Sequence, residues 1–452
     1  MQASGMKAQL ALLALIAAMI QHSSQLTLLA EEPSGVVSLP EQLLVESRIV
    51  PPPPHMNVSG DRAKLLDSGS WEKKGFRVEP YGALWADMIY ATQRTSPEAF
   101  TLFVFSPEDQ GESAFHIDTR RTRLGVNVTG PPIGSMTSKG NVEIDFLGTF
   151  VTENRANVRL RQAYWETSND QTRLLVGQTW DVASPLIPST LNAGFGFFAG
   201  NIGFRRAQFR AERDIELAQS LLLTLQGSLN QDIVGDFVET PDVRREAAGW
   251  PVIEARTAVT FSPPRHDAEP VRVGISGHIG ETGFDFLAAG PPPLNLPPQD
   301  DARFKTWSFN VDLHVPLSDR FGIQGEYFTG ANLSNFLGGI GQGVCPCLRV
   351  PIRSTGGWFE VWYDKTARQH FHLGYGVDDP NNKDSLFGRS SNQFIFANFV
   401  FDVTQQFVTG LEVSLWRTQY RETRAGQIPP DQLFPSQAGE AVTIDWMVKY
   451  SF

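Results

Sequence analysis

The 452-residue sequence has two cysteines, little lysine and, beyond its amino terminus, no apolar run near the roughly 20 residues that a membrane helix requires. Spanning by helices is thereby excluded. If the chain crosses a bilayer it does so with strands, the other element that can satisfy its own backbone in lipid. Of 38 cationic side chains only about nine are lysines, and there is neither a basic tail nor a Lys-rich run. With a net charge of −11, this excludes nucleic acid as a partner. Histidines such as His116, His266, His278, His314, His370 and His372 are scattered, with no His-Glu-x-x-His and no Gly-x-Ser-x-Gly. The stretch Gly194–Gly200 has the wrong spacing for a dinucleotide loop and no βαβ context. The chain is therefore read as non-enzymatic, with no cofactor and no metal. Cys345 and Cys347 sit in Cys-Pro-Cys within a Gly-rich loop, two ligands too few for a metal site. They imply a local loop disulfide or a pairing between chains.

What the chain does have is alternation. The terminal segment 442–452 places Val442, Ile444, Trp446, Val448, Tyr450 and Phe452 on one face and Thr443, Asp445, Met447, Lys449 and Ser451 on the other. Period two means a strand with one apolar face. Similar segments fall near 76–91, 114–130, 138–149, 156–168, 171–180, 202–214, 219–231, 252–262, 270–280, 304–316, 320–331, 355–366, 368–378, 392–404, 406–421 and 440–452. These are about sixteen, an even number, as single-chain bacterial barrels have. Leu124, Val126 and Val128 alternate with Arg123, Gly125 and Asn127, and Trp307, Phe309, Val311 and Leu313 alternate with Ser308, Asn310, Asp312 and His314. A polar face repeated this often implies a wet interior.

The connections also alternate. Tight turns at Ser168–Gln171, Leu317–Arg320, Lys365–Arg368 and Thr404–Gln406 separate long Gly- and Pro-rich loops near 181–201, 232–251, 281–303, 331–354, 379–391 and 422–439. Short periplasmic turns and long external loops are the habit of a transmembrane antiparallel β-barrel. A barrel of this kind belongs in the bacterial outer membrane, with lipid around it. Loop 181–201 is too apolar to stand in solvent, so this third external loop is expected to fold into the pore. Residues 1–30 read as a signal peptide, with Lys7 before the apolar Leu10–Ile20 core. Residues 31–75, with the stiff Pro51–Pro54 run, form a periplasmic leader, and 76–452 form the barrel. Tyr81, Trp85, Trp165, Trp180, Trp446 and Tyr450 lie near strand ends, as interfacial girdles require.

Arginine is concentrated in the first half of the barrel. The alternation points Arg121, Arg123, Arg159, Arg161, Arg206 and Arg210 inward, as a ladder on one wall. Guanidinium groups suit carboxylate and phosphate, and rings of this sign favour anions. Glu143, Asp145, Asp312, Glu326 and Glu412 also point inward. Set opposite the arginines, they would create a transverse field; set beside them, they would brace the wall instead.

The runs Arg121-Thr-Arg-Leu-Gly125, Leu160-Arg-Gln-Ala-Tyr-Trp-Glu166, Leu175-Val-Gly-Gln-Thr-Trp180 and Phe204-Arg-Arg-Ala-Gln-Phe-Arg210, with the terminal Phe452, resemble the DcaP-like trimeric outer-membrane porins. The resemblance implies a sixteen-stranded homotrimer that takes up small negatively charged molecules such as dicarboxylates. It places Arg159, Arg161, Arg206 and Arg210 in or near the constriction, and Phe452 where the barrel-assembly machinery reads it. Two features depart from that family: residues 31–75 show no sustained heptads, and the Cys-Pro-Cys loop has no counterpart. The competing reading is a secreted or surface β-protein that binds a ligand or carbohydrate without transport.

Overall fold

A computed structural model of the chain describes residues 70–148, 156–233, 243–262, 269–290, 294–421 and 436–452. The signal peptide and nearly all of the leader lie outside the described residues. From residue 76 onward, one antiparallel sheet runs through sixteen strands and closes on itself. The strands are β1 (Phe76–Ala91), β2 (Ala114–Asp118 and Arg123–Ile133), β3 (Met136–Asp145), β4 (Arg159–Ser168), β5 (Thr172–Trp180) and β6 (Arg205–Ala218). They continue with β7 (Leu221–Asn230), β8 (Val243–Glu246 and Val252–Phe261), β9 (Val271–Phe286), β10 (Gln299–Ser318) and β11 (Phe321–Ala331). The last five are β12 (Arg353–Thr366), β13 (Gln369–Pro380), β14 (Arg389–Asp402), β15 (Phe407–Tyr420) and β16 (Gly439–Ser451). Two of them are interrupted, but both halves of β2 pair with β1, and both halves of β8 pair with β9. A short strand at Trp71–Lys73 folds back on the start of β1.

Closure happens at the predicted seam. β16 pairs with β1 from Ala83↔Ser451 to Ala91↔Thr443, and Gly82 and Phe452 exchange backbone hydrogen bonds of 3.0 Å. In β16 the apolar face turns outward: Trp446 and Tyr450 stay nearly half exposed, whereas Thr443, Asp445 and Lys449 are buried inside. The same phase holds in β10, where Trp307 and Phe309 face out and Ser308, Asn310 and Asp312 face in. An outward apolar face and a polar inner one fit a barrel whose solvent is lipid outside and water within.

The expected girdle is corrected in part. Trp165, Trp446 and Tyr450 are outward, but Trp85 is buried inside the barrel and Tyr81 donates to Glu143 Oε2 at 3.2 Å. Trp180 packs against the loop core. Trp180 and Tyr450 do lie at strand ends, whereas Trp85 and Trp446 fall mid-strand, and nearness to an end does not decide which face a ring takes.

Long connections occur on one rim and short ones on the other. Three of the long ones matter below: L1 (92–113), L3 (181–204) and L6 (332–352). Cys345 and Cys347 are bonded to each other within L6, buried with Ile352. At the same rim Arg353 donates from Nε and Nη2 to Asp384 of L7 (381–388), both at 2.8 Å.

Gly177 has φ +126°, and a Cβ there would lie 2.2 Å from the Ala163 carbonyl oxygen. Gly177→Val is expected to cost about 1–3 kcal/mol in backbone strain alone, lowering the urea midpoint of the refolded barrel read by gel mobility; an unchanged midpoint contradicts the β4–β5 register. The Arg353 hydrogen bonds hold the Asp384 carboxyl below its usual range. The clasp is therefore fully present above the ordinary carboxylate pKa of about 3.9 and is lost as pH falls through the lowered value. Amide exchange in L7, corrected for intrinsic rates, should accelerate only at such acid pH, and Arg353→Ala should remove the pH dependence.

Candidate functional site: the L3 constriction and its arginine wall

The third long loop folds into the barrel, as its apolar sequence predicts. Nearly every residue from Val182 to Gly203 is buried. A loop that enters a lumen carries backbone N–H groups that need partners, and here the wall supplies carboxylates. Glu254 on β8 accepts from Val182 N at 2.7 Å and Ala183 N at 3.0 Å. Glu326 on β11 accepts from Leu186 N at 2.7 Å and from the Ser184 hydroxyl at 2.5 Å. Glu360 on β12 accepts from Ser189 N and its hydroxyl, each at 2.7 Å. Glu412 on β15 accepts from Leu191 N at 2.7 Å and Thr190 Oγ1 at 2.6 Å. Asn398 on β14 donates to the Ser189 carbonyl. At the far end Arg121, in the turn between the two halves of β2, donates to the Leu191 carbonyl at 2.6 Å. The order of contacts along L3 is thus the order of strands around the barrel.

The loop then turns back through a tight sequence. Gly200 has φ +114°, and a Cβ there would lie 2.1 Å from the Gly357 carbonyl oxygen, so only glycine lets the loop lie this close to the wall. On the return limb Phe198 N donates to Leu337 O and Gly203 N to Phe336 O, tying L3 to L6. Asn192 and Thr101 bond L3 to L1. Phe100, Leu102, Phe195, Phe197, Phe198, Leu337 and Ile340 form one apolar cluster from all three loops.

The part of the inner wall formed by β2–β6 carries the arginines, and most of them are neutralised. Arg159 bonds Asp145 at 2.6 Å, and Arg161 bonds Glu143 at 2.6 Å and Asp145 at 2.8 Å. Arg206 bonds Asp181 at 2.7 Å and Arg210 bonds Glu212 at 2.5 Å. Arg121 meets Asp87 at 3.1 Å while lying 4.2 Å from the Trp85 ring centre. The predicted opposing acidic wall is not built as expected. Glu143 and Asp145 lie beside the arginines on adjacent strands, Asp312 pairs with Arg256 at 2.6 Å, and Glu326 is engaged with L3. Strand alternation gives the face of each side chain but not its distance from a neighbour, so bracing and facing look alike in sequence.

Two arginines differ. Arg123 is half-buried, with its Nε buried and unbonded, and its guanidinium lies 5.6 Å from the Trp85 ring centre. Arg205 is buried, with its guanidinium 4.5 Å from the Trp180 ring centre and 4.8 Å from that of Phe204. Among the described residues neither meets a carboxylate within ion-pair distance. Both lie within electrostatic range of Arg161 and, beyond ion-pair distance, of acids: Glu143 and Asp145 for Arg123, Asp145 for Arg205. Arg205 escaped the sequence reading because alternation assigned the inward position to Arg206; it is the first β6 residue after L3 and sits under the loop. The stretch Phe204-Arg-Arg had flagged the pair but not which member lacked a partner.

A closed antiparallel barrel with an apolar outer face, a polar lumen and an inward-folded third loop defines the class: an outer-membrane β-barrel of the porin type. No protein-family model and no curated protein sequence matches the chain. Solved structures do. The outer membrane channel DcaP of Acinetobacter baumannii has a TM-score of 0.63 at 16% identity, covering 84% of this chain and 99% of that one. The trimer form of OmpT, an outer membrane protein of Vibrio cholerae, has a TM-score of 0.50 at 12% identity over 84% of this chain and all of that one. An anion-selective porin from Comamonas acidovorans has a TM-score of 0.51 at 11% identity, over 83% of this chain and all of that one. The fold is that of the DcaP channel, and a closed antiparallel barrel with an apolar outer face is the form in which strands span a bacterial outer membrane.

The carboxylate clasp makes a prediction. Hydrogen bonds to charged groups contribute about 1.5–3 kcal/mol each. Glu360→Ala removes three, including the one from Gln324 Nε2. It should loosen L3 and raise unitary conductance and open-channel noise in planar bilayers. Glu360→Gln, which still accepts, should show a smaller change. Equal traces for wild type and Glu360→Ala would show that the loop is held by other means.

Proposed function

We propose that the protein is a porin for diffusive uptake of small anionic, carboxylate-bearing solutes, working as a homotrimer. The observation that carries this reading is Arg123 and Arg205, two guanidiniums without a carboxylate in a wall whose other predicted arginines are each paired. Paired arginines present little net charge to a passing solute; unpaired ones set the sign of the local field. Their planar donors match a carboxylate in a way that an ammonium group does not. The chain as a whole is acidic, at −11, so selectivity here is a property of the narrow region and not of overall charge. The anion-selective porin of Comamonas and the trimer form of the Vibrio protein support the reading by analogy of fold. Phe452 at the seam is the residue through which the assembly machinery would recognise the chain.

The test is the reversal potential in planar bilayers under a KCl gradient. Wild type should prefer chloride. Arg123→Ala and Arg205→Ala should each lower the chloride-to-potassium permeability ratio several-fold, and the double variant should approach or cross unity; a roughly 1.4 kcal/mol loss of favourable potential is tenfold in such a ratio. Arg210→Ala, which leaves Glu212 with only its 3.2 Å ion pair to Arg173, should also shift selectivity toward cations. A wild-type cation preference would overturn the anion reading, and an absence of channels would overturn the porin reading.

A further inference from the structure

Resting on that anion-channel reading, we infer that the constriction favours carboxylates carried on an apolar, aromatic body over small hydrophilic carboxylates. The loop that narrows the lumen contains no charged residue from Val182 to Phe204. The wall acids that touch it spend their oxygens on its N–H and hydroxyl groups, and its own Asp181 accepts from Phe204 N at 2.8 Å. The one acid of L3, Asp181, is taken up by Arg206, so the loop presents no unpaired acid to the cationic wall, and what it offers is rings. Phe195 and Phe197 meet edge to face at 6.2 Å, and Phe197 and Phe204 at 6.5 Å. Trp180 and Phe204 are the partly exposed members that pack on this cluster.

Arg205 joins the two chemistries. Its guanidinium lies against the faces of both Trp180 and Phe204. A narrow cleft beside these rings is lined mainly by apolar residues, among them Trp180, Leu186, Phe197 and Phe204, with Asp181, Ser184 and Asn201 as its polar members. A carboxylate bound to Arg205 therefore leaves the rest of the solute against apolar surface. An aryl body gains by leaving water there, and its ring stacks with the aromatic faces already in place. Acetate has little body to bury. Succinate must bring its second hydrated carboxylate past the same rings, where a polar group without a partner is penalised.

The full chain, refolded and checked for the heat-dependent gel shift of an intact barrel, is tested in planar bilayers. A KCl gradient is applied first, then bi-ionic conditions with acetate, succinate or benzoate. Cation preference in KCl overturns the anion-channel reading itself. Anion preference with benzoate permeability at or below that of acetate or succinate leaves that reading standing and overturns this inference. The expected result is benzoate ahead of acetate by roughly threefold, a factor that burying a few tens of Å² of apolar surface supplies, although benzoate diffuses more slowly in water. Phe204→Leu, which removes the ring and keeps apolar bulk, should lower the benzoate-to-acetate ratio more than the chloride-to-potassium ratio. Equal proportional loss in both ratios would count against the aromatic contact. Should that variant fail to show the folded-barrel shift, the wild-type ratio alone decides.

Discussion

Four wall carboxylates hold the backbone of L3, and the interior of this barrel is arranged around that clasp. Glu254, Glu326, Glu360 and Glu412 stand on four different strands and accept from successive N–H groups between Val182 and Leu191. A loop brought into a lumen needs partners for its backbone, and carboxylates are the strongest acceptors that side chains provide. Because the acceptors come from rigid strands, the loop inherits the geometry of the sheet. The return limb can then pack against L1 and L6 as an apolar core, which a loosely hanging loop could not support. Gly200 is the point at which the backbone passes too close to β12 for any side chain.

The clasp also divides the lumen by charge. The acids on β8, β11, β12 and β15 are occupied by the loop, so they do not serve as a counter-wall to the arginines. On β2–β6 the arginines find their acids locally, on the next strand or two residues along. Such pairs keep a polar wall rigid, since an arginine or a carboxylate left alone in a partly desolvated place is costly. Against that background Arg123 and Arg205 stand out: each rests on an indole ring instead of an acid. An indole face tolerates a cation without cancelling its charge.

The barrel was legible from residues 76 to 452 because every strand announces itself twice, by its period-two pattern and by the turn that ends it. The closing strand is the clearest instance: Trp446 and Tyr450 outward, Asp445 and Lys449 inward, and β1 as its partner, all as the alternation implies. The inward fold of L3 was legible from its apolar composition. The girdle was only half legible, since Trp165, Trp446 and Tyr450 face outward while Trp85 and Trp180 serve the interior. The inward direction of Arg121, Arg159, Arg161, Arg206 and Arg210 was legible too, but what each one meets was not. Arg205 was not singled out, because alternation is a poor guide at the first residue after a loop.

The sequence by itself determined the architecture: the number and phase of strands, the rim that carries long loops, the seam, and the loop that turns inward. These follow from local periodicity and turn chemistry, which act over a few residues. Only the tertiary structure decided which charges cancel. Glu360 and Ser189 are 171 residues apart, and Glu412 and Leu191 are 221 apart, so no local pattern joins them. Whether an inward acid faces an arginine, braces it or binds a loop depends on distances of a few Å set by strand register and loop path. That is why the wall of arginines could be read in the sequence, and its two unpaired members could not.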